Sequence, residues 1–449
     1  MRNLDKYAPL YRAVSGYAAK KQVRLHTPGH AGKQGAFPFM QDAVPFDVTE
    51  LPWLDSLMEA DGPIYESELL AAGLFRSAHT FYSAGGNTLC IQTMLAMIPG
   101  GGRVAMPRSC VHRSAVYACA LLGLEPVFFL PRGDSNTYDP ADIEDLICRQ
   151  QLSALYLTSP DYYGRLANIE ELSAVCRRLD VPLLVDNAHG THLAFASPSL
   201  HPLHLGADLT ADSAHKTLPV MTGGALLQVG GRMAEQFLPR ARPAMALFGS
   251  TSPSYPVLLS LERACAWLQT DGRQAYERLA LRVMELRGLA AQRGFTFPDW
   301  ATDPIRLTLN GGALGLTGHR LAALLREQGL EPEWANERYC VLLPSPLHDE
   351  ADFARLTAAI EQVGGCAYGA PVNEMPVLPR ELVRALPLRE AMTAKTRLLP
   401  IEQAAGQVAA QLICRCPPGV PLVVPGETMD QIAAAQLLSA GFSEIKVVQ

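Results

Sequence analysis

Lys216 closes the run Ser213-Ala-His-Lys216, flanked by a histidine and hydroxyls, inside the stretch Ala207–Ala225. Lysine seldom goes inside a protein, because its ammonium resists desolvation. The stretch ends one strand-like run and turns through Gly223-Gly224 into another, Ala225–Val229. A lysine buried there is expected to release its proton readily, and a neutral amine forms a Schiff base with a carbonyl. The competing reading is a solvated turn lysine. Two other motifs bear on the choice. Val185-Asp-Asn-Ala-His-Gly190 places Asp186 directly after the apolar run Pro182–Val185. A carboxylate there holds a cation, either a protonated pyridine nitrogen or a metal, or it simply caps a turn. Gly85-Gly-Asn-Thr88 follows a short strand and opens a helix. Its glycines admit close backbone approach, and the free N–H groups and positive dipole end suit a phosphate. A plain N-cap is the alternative.

The elements that position these motifs follow from periodicity. Strand-like segments at Thr80–Tyr82, Arg103–Met106 and Pro126–Leu130 and short apolar runs at Ala154–Thr158 and Pro182–Val185 alternate with helical patterns at Glu66–Phe75, Asn87–Ile98 and Ser109–Leu122. Unbroken runs separated by helices signal a parallel sheet covered on both faces, with ligands at its strand ends. Ala225–Val229 is expected to be a further strand, with the antiparallel sense as one option. A helical pattern from Leu261 to Arg293 carries the chain away, after an N-terminal helix over residues 5–20 and a Gly- and His-rich loop, Leu25–Gly35. Strands at Ile305–Leu309 and Tyr339–Leu343 with helices at Thr317–Gln328 and Ala351–Val363 restart an α/β pattern. Pro371–Pro387 reads as a wrapping segment, Glu402–Leu412 and Met429–Ala440 as helices, and Cys416–Glu427 as extended chain. The expected divisions are an N-terminal arm over 1–60, a large domain over 61–290, a small α/β domain over 291–370 and an extension over 371–449.

The totals narrow the class. The chain has 449 residues, 48% hydrophobic and 18% charged, which argues against disorder. Its net charge of −6 gives no reason to expect a nucleic-acid partner. The ten cysteines show no zinc-like spacing. Scattered thiols without an apolar leader point to the reducing cytoplasm, and no apolar run is long enough for a bilayer.

Only one ligand needs a phosphate anchor, a carboxylate for a ring nitrogen and an imine-forming lysine together: pyridoxal 5'-phosphate. The chain also resembles the Orn/Lys/Arg decarboxylase family along nearly its whole length. His26-Thr-Pro-Gly-His30 resembles the family's opening motif, and Asp47-Val-Thr-Glu-Leu51 its Asp-x-Thr-Glu-Leu segment. Arg108–Ser114, Ser159–Gly164, Asp186–Gly190, Ser213–Lys216, Ser250–Tyr255 and Pro417–Glu427 correspond in order. The length is similar to the smaller branch, that of the arginine decarboxylases of Gram-positive bacteria.

The resemblance implies a fold-type-I pyridoxal-phosphate enzyme, aspartate-aminotransferase-like, with a mostly parallel central sheet and a smaller C-terminal α/β domain. It implies that Lys216 carries the cofactor, Asp186 pairs with the pyridine nitrogen and His112 stacks on the ring. Ser213, His215, Gly86, Asn87 and Thr88 would bind the phosphate, and Ala188 and His189 would line the ring. Ser250 and Thr251 would reach a neighbouring subunit's phosphate, in a homodimer or higher oligomer with sites at the interface. The implied reaction removes carbon dioxide from a basic amino acid, arginine before lysine or ornithine, giving agmatine or a diamine for polyamine metabolism. Lys216 or His215 would return a proton to Cα. His26, His30, Asp47, Glu50, Glu333 and Glu427 are candidates for the substrate end, each carboxylate having a surface or capping role as its alternative. Another pyridoxal-phosphate reaction, transamination or elimination, and a degenerate regulatory homologue are the rival readings. Three positions depart from the family pattern: Asn187 where glutamate is usual, Asn87 in the phosphate turn, and Cys416 where tyrosine commonly precedes Pro-Pro-Gly.

Overall fold

The computed structural model describes residues 4–20, 22–132, 135–373, 380–416 and 418–449. The chain forms two compact units: Met1–Gly102 with Pro140–Leu157 and Ile169–Gln274, and Arg103–Asp139 with Thr158–Asn168 and Ala275–Gln449.

Seven strands carry the α/β pattern: β1 (His79–Ser83), β2 (Arg103–Pro107), β3 (Glu125–Phe129), β4 (Ala154–Thr158), β5 (Leu183–Asp186), β6 (Leu209–Asp212) and β7 (Ala225–Val229). In the first unit the order is β1-β7-β6-β5-β4; in the second, β2 lies beside β3. β5 pairs parallel with β6, and β2 with β3. β7 runs antiparallel to both β1 and β6. Every residue of β1, β4, β5, β6 and β7 is buried. That is why these runs show no polar alternation: both faces are covered.

The covering helices obey the complementary rule. In Ile169–Arg178, Ile169, Leu172, Val175 and Cys176 form the buried stripe, with Glu170 and Glu171 in the first turn and Arg177 and Arg178 in the last. Each charge sits at the helix end whose dipole it complements. Buried carboxylates tie other elements together. Glu262 accepts the Leu10 and Tyr11 amides at 2.8 and 2.7 Å, which docks the helix Pro9–Ala19.

The pattern from Leu261 to Arg293 resolves into two helices, Tyr255–Trp267 and Arg273–Gln292, joined by one π-turn. In the second unit, Leu307–Leu309, Cys340–Leu342 and Trp334–Ala335 form an antiparallel sheet beside the helices Gly318–Glu327 and Glu350–Gly364. The C-terminal part is built on two strand pairs, Thr396–Pro400 with Glu444–Val448 and Ile413–Cys414 with Pro421–Val423. Its core gathers Ile401, Ala409, Ile413, Met429, Leu437 and Ile445.

Three expectations change. No helix forms over Glu402–Leu412: a 3-10 turn, Ile401–Gln403, gives way to bridges Val408–Thr428 and Ala409–Val447. Gly406 takes φ +80°, and the apolar residues that mimicked a helix stripe reach the core through strand-like pairing. The helix after β1 begins at Gly86 with Gly85 as N-cap, so neither Asn87 nor Thr88 caps it. The next helix starts at Arg113 with His112 as its cap, later than Ser109. Pro417 and residues 374–379 of the proline-rich segment lie outside the described residues.

Candidate active site

The site in the first unit is assembled at the ends of β1, β5 and β6. β5 ends on Asp186, which is 2% exposed. Its Oδ1 accepts the Ala188 amide at 3.1 Å and the Asn87 side-chain amide at 2.9 Å; its Oδ2 accepts the Tyr156 hydroxyl at 3.2 Å. Burial outweighs the charge of Lys216 and these three hydrogen bonds, which pull the other way, and leaves this carboxyl raised to about 6. These donors are neutral, so the carboxylate is oriented but not neutralised by them. That is the environment a protonated ring nitrogen fits.

β6 ends at Asp212, and a single helical turn, Ala214–Thr217, presents the lysine. Lys216 is half-buried, less sequestered than the sequence suggested. Its Nζ lies 2.9 Å from Nε2 of the buried His189. Ser213 is buried, and its hydroxyl lies 3.3 Å from Nδ1 of His215. That Nδ1 also donates to the Gly224 carbonyl at 3.2 Å. Burial lowers the His215 pKa, so the ring is neutral at pH 7, with its proton on Nδ1 and a lone pair on Nε2.

The glycine turn is set by β1. Gly86 takes φ +70°, its amide donates to the Gly223 carbonyl at 2.8 Å, and Ser83 Oγ donates to its carbonyl at 3.1 Å. Beyond it, the helix start leaves the Asn87 and Thr88 amides without intrahelical acceptors. Thr88 is exposed, whereas the Asn87 side chain turns to Asp186. Ser250 and Thr251 lie on an exposed loop.

Behind Asp186, Asn187 is fully buried and donates to Asp212 Oδ1 at 2.7 Å, with His201 Nε2 at 2.9 Å. His201 and Gln228 also hold Asp212. The departure from glutamate therefore leaves one formal acid, Asp212, where two would repel.

The remaining expected residues sort by their partners. In the first unit, His26 meets the Tyr17 hydroxyl at 2.6 Å, and His30 pairs with Asp47 at 3.1 Å. Glu50 accepts the Thr49 hydroxyl on Oε2, while its buried Oε1 has no hydrogen-bond partner. In the second unit, Glu333 accepts the Tyr162 hydroxyl at 2.9 Å. Glu427 accepts from Arg108 at 3.1 Å and from the Val424 amide at 2.7 Å, all buried. His112 caps its helix: the Ser114 amide donates to its Nδ1 at 3.3 Å, leaving the ring proton of the neutral form on Nε2. Gly419 lies against that ring, where an added Cβ would stand 2.7 Å from Cδ2 and Nε2.

Sequence reading missed Tyr156, the Asn87–Asp186 bond, the Asn187–Asp212–His201 network and the Gly419–His112 contact. A tyrosine inside the otherwise apolar run Ala154–Thr158 was the one visible signal, since a buried phenol needs a hydrogen-bond partner.

The strands and site define a fold-type-I α/β protein. The aspartate aminotransferase of Thermus thermophilus shares that fold, with a TM-score of 0.55 at 16% identity over 67% of this chain and 89% of its own. The chain belongs to the Orn/Lys/Arg decarboxylase family: the family's major domain matches residues 8–306 and its C-terminal domain residues 376–440. It is 30% identical to the arginine decarboxylase of Bacillus subtilis (strain 168), over 94% of this chain and 91% of that one. The lysine decarboxylase LdcF of Francisella novicida has the same fold, with a TM-score of 0.83 at 17% identity, covering 98% of this chain and 81% of its own.

Proposed function

We propose that this chain binds pyridoxal 5'-phosphate and decarboxylates arginine to agmatine. The observation that carries the cofactor reading is Asp186: a buried carboxylate, oriented by three neutral donors, in the same unit as the half-buried Lys216. When bound, the cofactor supplies an electron sink for the pair left behind as carbon dioxide departs. Lys216 would hold it covalently. Asp186 would keep its ring nitrogen protonated. Ser213, Gly86 and Thr88 would meet the phosphate, and the family resemblance assigns His112 to the ring face. His189, whose Nε2 lies 2.9 Å from Nζ, would orient the Lys216 amine. Neutral His215 would offer its Nε2 lone pair, and takes up a proton where an anion sits beside it.

The similarity to the Bacillus arginine decarboxylase supports arginine over lysine and ornithine. A distal guanidinium needs a carboxylate, and Glu50 has a buried oxygen with no hydrogen-bond partner, whereas Asp47 and Glu427 already hold His30 and Arg108. Glu50 is therefore the carboxylate we assign to the substrate's cation. A homodimer is proposed as well: Val23, Leu25, Phe39 and Leu247 are exposed apolar side chains of the first unit, and such side chains favour burial against a second copy. The free thiols support a reducing cytoplasm.

The test is carbon dioxide release from arginine, lysine and ornithine with added cofactor. Release from arginine with agmatine formed is expected, and a rise in KM for arginine in Glu50→Gln. No release from any of the three overturns the decarboxylase reading.

A further inference from the structure

Asn87 sits in the turn expected to hold the cofactor's phosphate, yet its side chain points elsewhere. Nδ2 donates to Asp186 Oδ1 at 2.9 Å. The amide orientation is fixed by chemistry: the same Oδ1 already accepts the Ala188 amide at 3.1 Å, so the group facing it must be a donor. What remains on the other side of Asn87 is Oδ1, buried and without a hydrogen-bond partner. That atom is an acceptor. A phosphate dianion offers only acceptors, so the two repel.

The backbone reinforces this choice. Gly86 is pinned on both sides, by the Gly223 carbonyl at 2.8 Å and by Ser83 Oγ at 3.1 Å. Asn87 therefore leaves a fixed point. A serine or threonine hydroxyl, common at this turn in the family, stands one bond from Cβ and stays near the backbone amides. The asparagine amide nitrogen is one bond further out and reaches the carboxylate.

We propose that Asn87 is a positioning residue for the ring-nitrogen end of the cofactor, acting through Asp186, and is not a phosphate ligand. Phosphate binding is left to the backbone at the helix start, to Thr88 and to Ser213. The inference rests on the pyridoxal-phosphate reading above and deepens it. With Tyr156 on Oδ2 and Asn87 on Oδ1, the carboxylate is held from both oxygens, so its plane is set before the ring arrives. Preorganised donors of this kind act without reorganisation at the moment of reaction.

The test compares three probes on the full chain: pyridoxal 5'-phosphate, pyridoxal without the phosphate, and a carbocyclic analogue with CH in place of the ring nitrogen. Affinities are measured by equilibrium dialysis for wild type, Asn87→Ala and Asn87→Ser, with circular dichroism as the folding control. Loss of one hydrogen bond to a charged group predicts about a tenfold weaker binding. That loss is expected equally for pyridoxal 5'-phosphate and pyridoxal, and is expected to vanish with the carbocyclic analogue. Asn87→Ser, too short to reach Asp186, is expected to match Asn87→Ala with pyridoxal and to regain affinity with pyridoxal 5'-phosphate, because its hydroxyl stands near the backbone amides. A loss seen with pyridoxal 5'-phosphate but absent with pyridoxal makes Asn87 a phosphate ligand and overturns the proposal. Unchanged affinities throughout overturn it too. If Asn87→Ala does not fold, Asn87→Ser decides with pyridoxal, where about a tenfold loss supports the proposal and an unchanged affinity overturns it. A wild type that binds none of the probes overturns the cofactor reading instead.

Discussion

Asp186 and Glu427 are both buried carboxylates whose pKa burial raises, and they do opposite things. Glu427, in the second unit, meets a guanidinium: Arg108 spans it and the carbonyls of Pro421 and Leu422. Its charge is answered inside the protein, and the pair clasps the C-terminal segment. Asp186, in the first unit, meets an amide nitrogen, a phenol and a backbone N–H, none charged. Such a carboxylate gains a partner when a cation comes from outside. The difference teaches how to tell a structural acid from a functional one: burial is common to both, and the charge of the hydrogen-bond donors separates them.

The largest effect expected concerns the amine beside Asp186. Lys216→Ala is expected to lower decarboxylation by more than about a thousandfold, since both covalent attachment and a proton carrier go. Carbon dioxide release with circular dichroism as control measures it. A variant with near-normal turnover would detach Lys216 from the chemistry.

The two carboxylates are then set against each other. Asp186→Asn is expected to cut kcat/KM by about a hundredfold or more, because its charge is what the ring nitrogen needs. The thermal midpoint of the cofactor-free protein should hold or rise, since a buried charge with no cation among its hydrogen-bond donors is removed. Glu427→Gln should do the reverse. It leaves Arg108 buried without its carboxylate, at a cost of about 3–5 kcal/mol, so the midpoint falls by several degrees. Equal destabilisation by both substitutions would break the comparison.

A pH series sharpens it. The Asp186 carboxyl ionises at about 6 in the folded chain against an ordinary 3.8. Folding without the cofactor therefore becomes costlier as pH rises from about 3.8 through about 6. A bound ring cation offsets that cost. The rise in thermal midpoint on adding cofactor is thus expected to be larger well above pH 6 than well below it, as scanning fluorimetry would register.

The smallest effect belongs to Gly419. It takes φ +75°, and a Cβ there would stand 2.7 Å from the His112 ring. Gly419→Ala is expected to shift that imidazole and lower kcat about fivefold, with a stability loss of about 1 kcal/mol. An unaltered kcat would leave Gly419 a turn residue alone.

Much of this was legible in the residues. Mostly apolar runs mark strands covered on both faces, and Ala225–Val229 reads as one of them, whereas its antiparallel sense is set by its partners. The sequence alone places Lys216, Asp186 and the glycine turn at strand ends. Helix starts were less legible: Gly86 rather than Asn87 begins one helix, and His112 caps another, because caps depend on local backbone angles. The Glu402–Leu412 segment carried helix-like spacing, yet its partners at Thr428 and Val447 pull it into bridges.

The sequence by itself determined which groups exist and their order along the chain: an amine, a carboxylate, a glycine turn and the family they define. Tertiary structure alone decided which atoms meet. Asn87 and Asp186 are 99 residues apart, and Arg108 and Glu427 are 319 apart. Nothing in one dimension says which acid receives a cation and which receives an amide. That assignment is made when the strands align, because hydrogen bonds act over about 3 Å.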